Sequence, residues 1–393
     1  MAYEFDKIID RKGTNCLKYD FARERGHSEE ELPLWVADMD FQTAPEIVER
    51  LQRSVAHGIF GYSEGKDSYF QALAGWYEKH FGWTVKREWL VKTPGVVFAI
   101  AAAVRAFTKE GDAVLLQQPV YYPFSEAIKD NGRELVNSPL KLVNGHYEMD
   151  FEDLEQKIVE HQVKLFLLCS PHNPVGRVWT EEELRRVGDL CVKHNVLVVS
   201  DEIHSDFTWP GHEHHVFANL DPKYAEISIT CTAPSKTFNL AGLVGSYHII
   251  YNSWLRDRCD KEGSLSHYNA MNVMSMHALL GAYKPEGYEW VEELRQVITG
   301  NVDFACDYIA KHFDGVEVSR PQGTYMLFLD CGEWLTAHGK TMDELLAAGW
   351  DVGVIWQDGR AFHGQTHIRM NLALPLSRVR EAFRRLDTYV FNA

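Results

Sequence analysis

Residues 164–204 read KLFLLCSPHNPVGRVWTEEELRRVGDLCVKHNVLVVSDEIH, and this stretch decides the fold. Two apolar runs of strand length, 164–169 and 196–200, each end abruptly at polar residues. Between them Thr180 and Glu183 have the spacing of a capping box, and Leu184, Val187, Leu190 and Cys191 recur at helical spacing. This predicts a helix over 180–194 that joins two strands. Working outward, similar β-branched runs at 113–116, 227–230 and 246–250 alternate with helical patterns. Such alternation predicts a mainly parallel sheet covered by helices on both faces, an α/β fold. After about residue 283 the pattern changes to a long helical stretch, 288–313, and then to shorter strands near 324–330 and 367–372. The expected organisation is a large domain over 51–285, a smaller α+β domain over 286–393, and an N-terminal segment, 1–50, packing with the small domain.

Bulk properties narrow the function classes. A chain of 393 residues is long for a single core. With 45% hydrophobic and 24% charged residues it has the composition of a globular protein. Its 40 Lys and Arg against 56 Asp and Glu give a net charge of −16, which disfavours a nucleic-acid or anionic-membrane partner. No apolar run is long enough to span a bilayer, and MAYEFDKIIDRKG lacks the apolar centre of a signal peptide. Seven scattered cysteines without a CxxC pair suggest reduced thiols in a cytoplasmic protein and no zinc site.

In open α/β sheets ligands bind beyond the carboxyl ends of the strands, so polar residues just after apolar runs are the ones to weigh. Thr93-Pro94-Gly95-Val96-Val97 precedes an alanine-rich helix over 98–107, and a glycine at a helix N-terminus leaves backbone N–H groups open to an anion. Asn173 lies in SPHNPVG, held before a proline. Asp201 follows the run 196–200 and would be costly to bury without a cation. Lys236, in CTAPSKTFNLAGLVGSY (231–247), follows another such run and is succeeded by small or apolar residues. The first two read equally well as structural turns, and taken singly each of the four is ambiguous. In this order they describe one ligand with a phosphate, a phenolic oxygen, a ring nitrogen and an aldehyde. That ligand is pyridoxal 5′-phosphate, which needs a lysine Schiff base and an acidic partner for its ring nitrogen.

The succession GVV, Tyr121, SPHNPVG, SDEIH and APSKTFN resembles the fold-type-I, or aspartate aminotransferase-like, superfamily. More narrowly, LPLWVADMDF (32–41), HGIFGY (57–62), IIDRKGTN (8–15) and IRMNL (368–372) are similar to segments of the MalY/PatB group of cystathionine β-lyases, or cysteine-S-conjugate β-lyases. The resemblance runs from about residue 4 to 390. It implies that Lys236 carries the Schiff base and that Asp201 faces the pyridine nitrogen. Asn173 would bond the ring's 3′-oxygen, aided by His204. Tyr121 would stack on the ring, while Gly95, Val96, Val97, Thr232 and Ser235 would surround the phosphate. Tyr62 would reach the phosphate and substrate across a homodimer interface, giving shared active sites, and Arg369 would clamp the substrate α-carboxylate. Two departures from the wider superfamily stand out: Ala233 replaces a phosphate-binding serine, and no arginine follows Lys236 before Arg256.

The resemblance implies α,β-elimination on an amino acid bearing sulfur on Cβ, such as L-cystathionine, yielding a thiol, pyruvate and ammonia. An aminotransferase on the same scaffold is the rival reading; a ligand sensor without chemistry would be expected to have lost Lys236 or Asp201. The run His212-Glu213-His214-His215 lacks metal-site spacing and reads as surface loop. Trp76, Tyr77, Phe81 and Trp83 read as packing, and Tyr325 as either a core or a substrate-site residue.

Overall fold

A computed structural model describes residues 3–21, 24, 26, 31–268 and 270–392. Its centre is a seven-stranded sheet in the order Leu90–Thr93, Ser246–Ile249, Ser228–Thr232, Leu197–Asp201, Leu165–Cys169, Ala113–Leu116 and Glu134–Asn137. Only Ser246–Ile249 runs antiparallel to its neighbours; the other pairs are parallel. The inner strands are buried along their length apart from Leu197, which is partly buried at the start of its strand, as a sheet covered on both faces requires. Two apolar clusters occupy the faces, one including Ala99, Ala103 and Phe124 and the other including Leu184, Val187 and Trp179.

The helix predicted over 180–194 is Glu181–His194, and Thr180 and Glu183 form the expected capping box. Leu184, Val187 and Cys191 face the core, with Leu190 partly buried at its edge. The alanine-rich helix begins two residues earlier than the sequence suggests, at Val96, with Gly95 as its N-cap. The strand after 227 runs on to Thr232, so it delivers Thr232 to the carboxyl edge.

The long helix Pro285–His312 leads into a four-stranded antiparallel sheet ordered Glu317–Val318, Met326–Asp330, His367–Asn371, Gln357–Asp358. The N-terminal segment adds Leu32–Pro33 in parallel beside Val354–Ile355. One glycine position is fixed by a close approach. Gly176, at the end of SPHNPVG, has φ of 72°, and a Cβ there would lie 2.4 Å from Pro321. Its carbonyl accepts the backbone N–H groups of Gln322 and Gly323, at 2.8 and 3.0 Å, which ties the Asn173 turn to the C-terminal part of the chain.

Candidate active site

Register places the candidate residues in a row. Cys169 pairs with Asp201 and Asp201 with Cys231, so the SPHNPVG turn, Asp201 and Thr232 emerge side by side at the carboxyl edge of the sheet. Lys236 follows Thr232 on the short helix Pro234–Thr237. That helix is held by Asp206, whose carboxylate accepts from the Thr237 hydroxyl at 2.6 Å and from Trp76 Nε1 at 3.3 Å.

The Lys236 ammonium donates to the carbonyl of Ala37 at 2.9 Å. Burial, with Arg369 adding a like charge, lowers its pKa to about 8, against a smaller opposing pull from Asp38 and Asp201. Asp201 is buried with Ile203 N–H as a donor at 3.1 Å. Desolvation raises its carboxyl to about 7; the neighbouring Glu202 acts in the same direction, while Lys236 opposes it. His204 is buried in front of the Tyr325 ring at 5.6 Å, and burial, with Lys236 and Arg369, lowers its imidazole to about 3. Its Nδ1 and the Asn173 Oδ1 are both buried without a hydrogen-bond partner. Tyr121 is half-buried, and its hydroxyl is pushed up to about 12, chiefly by desolvation.

Arg369 is the sharpest sign of an anion-binding site. It is 3% exposed and donates through Nη2 to the Trp35 carbonyl at 2.8 Å, while Nε and Nη1 have no partner. Burial lowers its pKa to about 10, and its guanidinium stacks over Phe362 at 4.6 Å. A buried guanidinium with idle donors is costly unless a ligand carboxylate completes it. At the far end, a Cβ on Gly95 would meet nothing within 4 Å, so the helix N-terminus opens onto free space. Val96 is buried beside it and Val97 is half-exposed. Thr232 is buried and Ser235 partly exposed.

The structure therefore gathers Lys236, Asp201, Asn173, His204, Tyr121, Arg369 and the 95–97 turn at one edge of the sheet. It does not gather Tyr62, whose side chain stands fully exposed on the loop between Pro45–His57 and Asp67–Phe81. Tyr325 is a core residue, fully buried, and its hydroxyl donates to the Ala37 carbonyl at 3.1 Å. Trp76, Tyr77 and Trp83 are core residues, as expected. The 212–215 reading needs one correction. His212 and Glu213 are exposed, but His214 is buried, 2.9 Å from Glu202 Oε2, because that carboxylate needs a partner under the sheet. Sequence reasoning missed two further elements: Asp206, and the backbone of residues 35–39, whose carbonyls hold both Lys236 and Arg369. A backbone acceptor leaves no side-chain signature.

These features define a fold-type-I, aminotransferase-like architecture. The profile of the family described as "Aminotransferase class I and II" matches residues 29–386, and the chain belongs to that family. It is 38% identical over 384 residues to cystathionine beta-lyase PatB of Bacillus subtilis (strain 168), covering 97% of this chain and 98% of that protein. It is 31% identical over 383 residues to protein MalY of Escherichia coli (strain K12), covering 96% of each. Among solved structures, cystalysin from Treponema denticola, which contains pyridoxal 5′-phosphate, superimposes with a TM-score of 0.93 at 34% identity, covering 99% of both chains.

Proposed function

We propose that this chain is a pyridoxal 5′-phosphate-dependent carbon–sulfur β-lyase acting on L-cystathionine or related cysteine S-conjugates. The observation that carries the reading is Arg369, buried with two idle donors and close enough to Lys236, as Asp201 is, to act on its charge. It suits the α-carboxylate of an amino acid. The polar side chains of Asn173 and His204, each with a buried atom that has no partner, fit the cofactor's ring oxygen, to which the Asn173 amide N–H would donate, and the open helix terminus at Gly95 fits its phosphate. The likeness to PatB over nearly the whole of both chains supports elimination rather than amino transfer.

In this reading the cofactor, when bound, supplies the electron sink for charge developing at the substrate's Cα. The protein does the rest. Arg369 fixes the carboxylate. Lys236 Nζ, made less basic by burial and by Arg369, takes the Cα proton. Asp201 holds a proton on the ring nitrogen it faces. Asn173 and His204 flank the ring oxygen, and Tyr121 covers the ring face. The N–H groups of residues 95–97 receive the phosphate with the hydroxyls of Thr232 and Ser235, work that the missing serine at 233 and the missing arginine leave to them. The Cβ–S bond breaks, a thiolate leaves, and the remaining fragment hydrolyses to pyruvate and ammonia.

The same reading makes the chain a homodimer in which Tyr62 serves the neighbour's site, with a large domain over 51–285, a small one over 286–393, and residues 1–50 against the small one. Pairing of Leu32–Pro33 with Val354–Ile355 supports the last of these. Seven free thiols suit a reducing cytoplasm, and no helix among the described residues is long and apolar enough to cross a membrane. The deciding test supplies purified protein either with L-cystathionine or with L-alanine and 2-oxoglutarate. Pyruvate and thiol in the first mixture support the lyase. Glutamate in the second, without thiol in the first, would establish the aminotransferase instead.

A further inference from the structure

Residues 35–41 contribute no side chain to the chemistry above, yet their carbonyls hold two of its principal groups. Trp35 O accepts from Arg369 at 2.8 Å and Ala37 O from Lys236 at 2.9 Å. Where this stretch lies therefore decides where those two cations lie. Three parts of the chain grip it. Asn371 donates to the carbonyls of Val36 and Asp38, both at 2.6 Å. Asn239 accepts from Met39 N–H at 3.0 Å and donates to the carbonyls of Met39 and Phe41 at 2.8 and 3.1 Å.

The third grip is charged. Arg11 reaches Asp38 Oδ2 at 2.7 Å and Asp40 Oδ1 at 2.8 Å. Lys18 Nζ lies 3.2 Å from Asp40 Oδ1 and 3.5 Å from Asp38 Oδ1, and Tyr19 donates to Asp40 Oδ2 at 2.6 Å. Lys18 and Asp40 are buried. Burial alone would raise the Asp40 carboxyl; Lys18, Tyr19 and Arg11 overcome it and hold the group below its ordinary range. Two cations thus meet two carboxylates, so the cluster is balanced. An apolar pair would fill the same space at no electrostatic cost, whereas hydrogen-bonded ions specify distances and register.

We infer that Arg11 and Lys18 are positioning residues: they reach no reacting atom, but through Asp38 and Asp40 they set where the Ala37 and Trp35 carbonyls hold Lys236 and Arg369. The inference rests on the lyase reading for the roles of Lys236 and Arg369, while the hydrogen bonds are independent of it.

The charged groups acting on Lys236 are Arg369, Asp38 and Asp201. Removing Arg11 frees the Asp38 charge to act on Lys236, which favours the protonated lysine, and loosens the Ala37 carbonyl, which takes an acceptor from the ammonium and acts the other way. The test uses Arg11→Gln, at a partly exposed side chain, and Lys18→Met. Cofactor-stripped full-length protein is treated with trinitrobenzenesulfonate across a pH series, and the modified Lys236 peptide is quantified. In both variants the midpoint for Lys236 should shift by roughly half a pH unit or more, upward where the freed Asp38 charge outweighs the lost acceptor and downward where the lost acceptor wins. In the loaded enzyme KM for L-cystathionine should rise several-fold, and Arg11→Lys, which keeps the charge without the planar fork, should recover part of both effects. A folded Arg11→Gln with lowered melting temperature but unchanged Lys236 midpoint and KM would overturn the inference; this variant decides the matter if Lys18→Met does not fold. Should wild-type protein cleave neither L-cystathionine nor other cysteine S-conjugates, the lyase reading falls, and the labelling midpoint still decides this one.

Discussion

Asp201 sits in its pocket as a poorly solvated carboxyl, with burial lifting it to about 7. A folded-state value above the ordinary one means that its contribution to stability is present at low pH and lost as pH rises through about 7. Without cofactor, the ionised form at neutral pH is a cost that a ring cation would relieve. Asp201→Asn removes the titration. In cofactor-free protein the variant should therefore gain stability over wild type between pH 5 and pH 8, by roughly 2–3 kcal/mol from linkage. Turnover of the loaded variant should fall by roughly 100-fold or more, since an amide cannot keep a ring nitrogen protonated. Urea melts at the two pH values, paired with pyruvate assays, check both halves. An equal stability difference at both pH values, or near wild-type turnover, would withdraw the proposed role. At this scale the burial of Asp201 and Lys236 was legible because a charge at or shortly after the end of an apolar run, with small or apolar residues following Lys236, demands a partner. The Ala37 carbonyl was not, since a backbone acceptor has no side-chain signal. Nor was the Arg11–Lys18 cluster, whose residues have the sequence pattern of ordinary surface charge.

Helices and strands were legible where the local signal was strong. The capping box at Thr180 located its helix to within a residue because both side chains close reciprocal hydrogen bonds to the backbone, at 3.2 Å and 2.8 Å. Thr180→Ala should lower stability by about 1 kcal/mol and leave activity alone, measurable as a shifted urea midpoint with unchanged KM. Element ends were less legible: the strand Ser228–Thr232 runs past its β-branched run because Cys231 and Thr232 pair with neighbouring strands. The polar loop at 212–215 hid the burial of His214 because its partner, Glu202, is distant in sequence. Gly95 belongs to this scale too. Its φ of 166° is extended backbone open to any residue, and a side chain there would meet only empty space. Its value therefore lies in leaving the helix N-terminus uncovered. Gly95→Val should fold normally and bind pyridoxal 5′-phosphate roughly tenfold or more weakly, as read by a fluorescence titration. Unchanged affinity would place the phosphate elsewhere.

At the scale of the molecule, the proposed dimer turns on one loop. Ile59, Phe60 and Tyr62 are 71%, 56% and 101% exposed, an apolar run that a single chain leaves in water. Gly58 ends the preceding helix with φ of 74°, which directs the chain outward after His57. A second copy related by two-fold symmetry would cover this run and bring each Tyr62 to its neighbour. Tyr62→Phe alone should weaken cofactor binding several-fold, by loss of one hydrogen bond to the phosphate. Mixing Tyr62→Phe subunits with Lys236→Ala subunits under exchange conditions then separates the two arrangements. If Tyr62 serves the neighbour, one site of each mixed dimer carries both lesions and the other carries none, so activity rises above that of either parent. If Tyr62 serves its own subunit, every site keeps one lesion and mixing brings no gain. A fully active monomer at assay concentration would end the shared-site proposal.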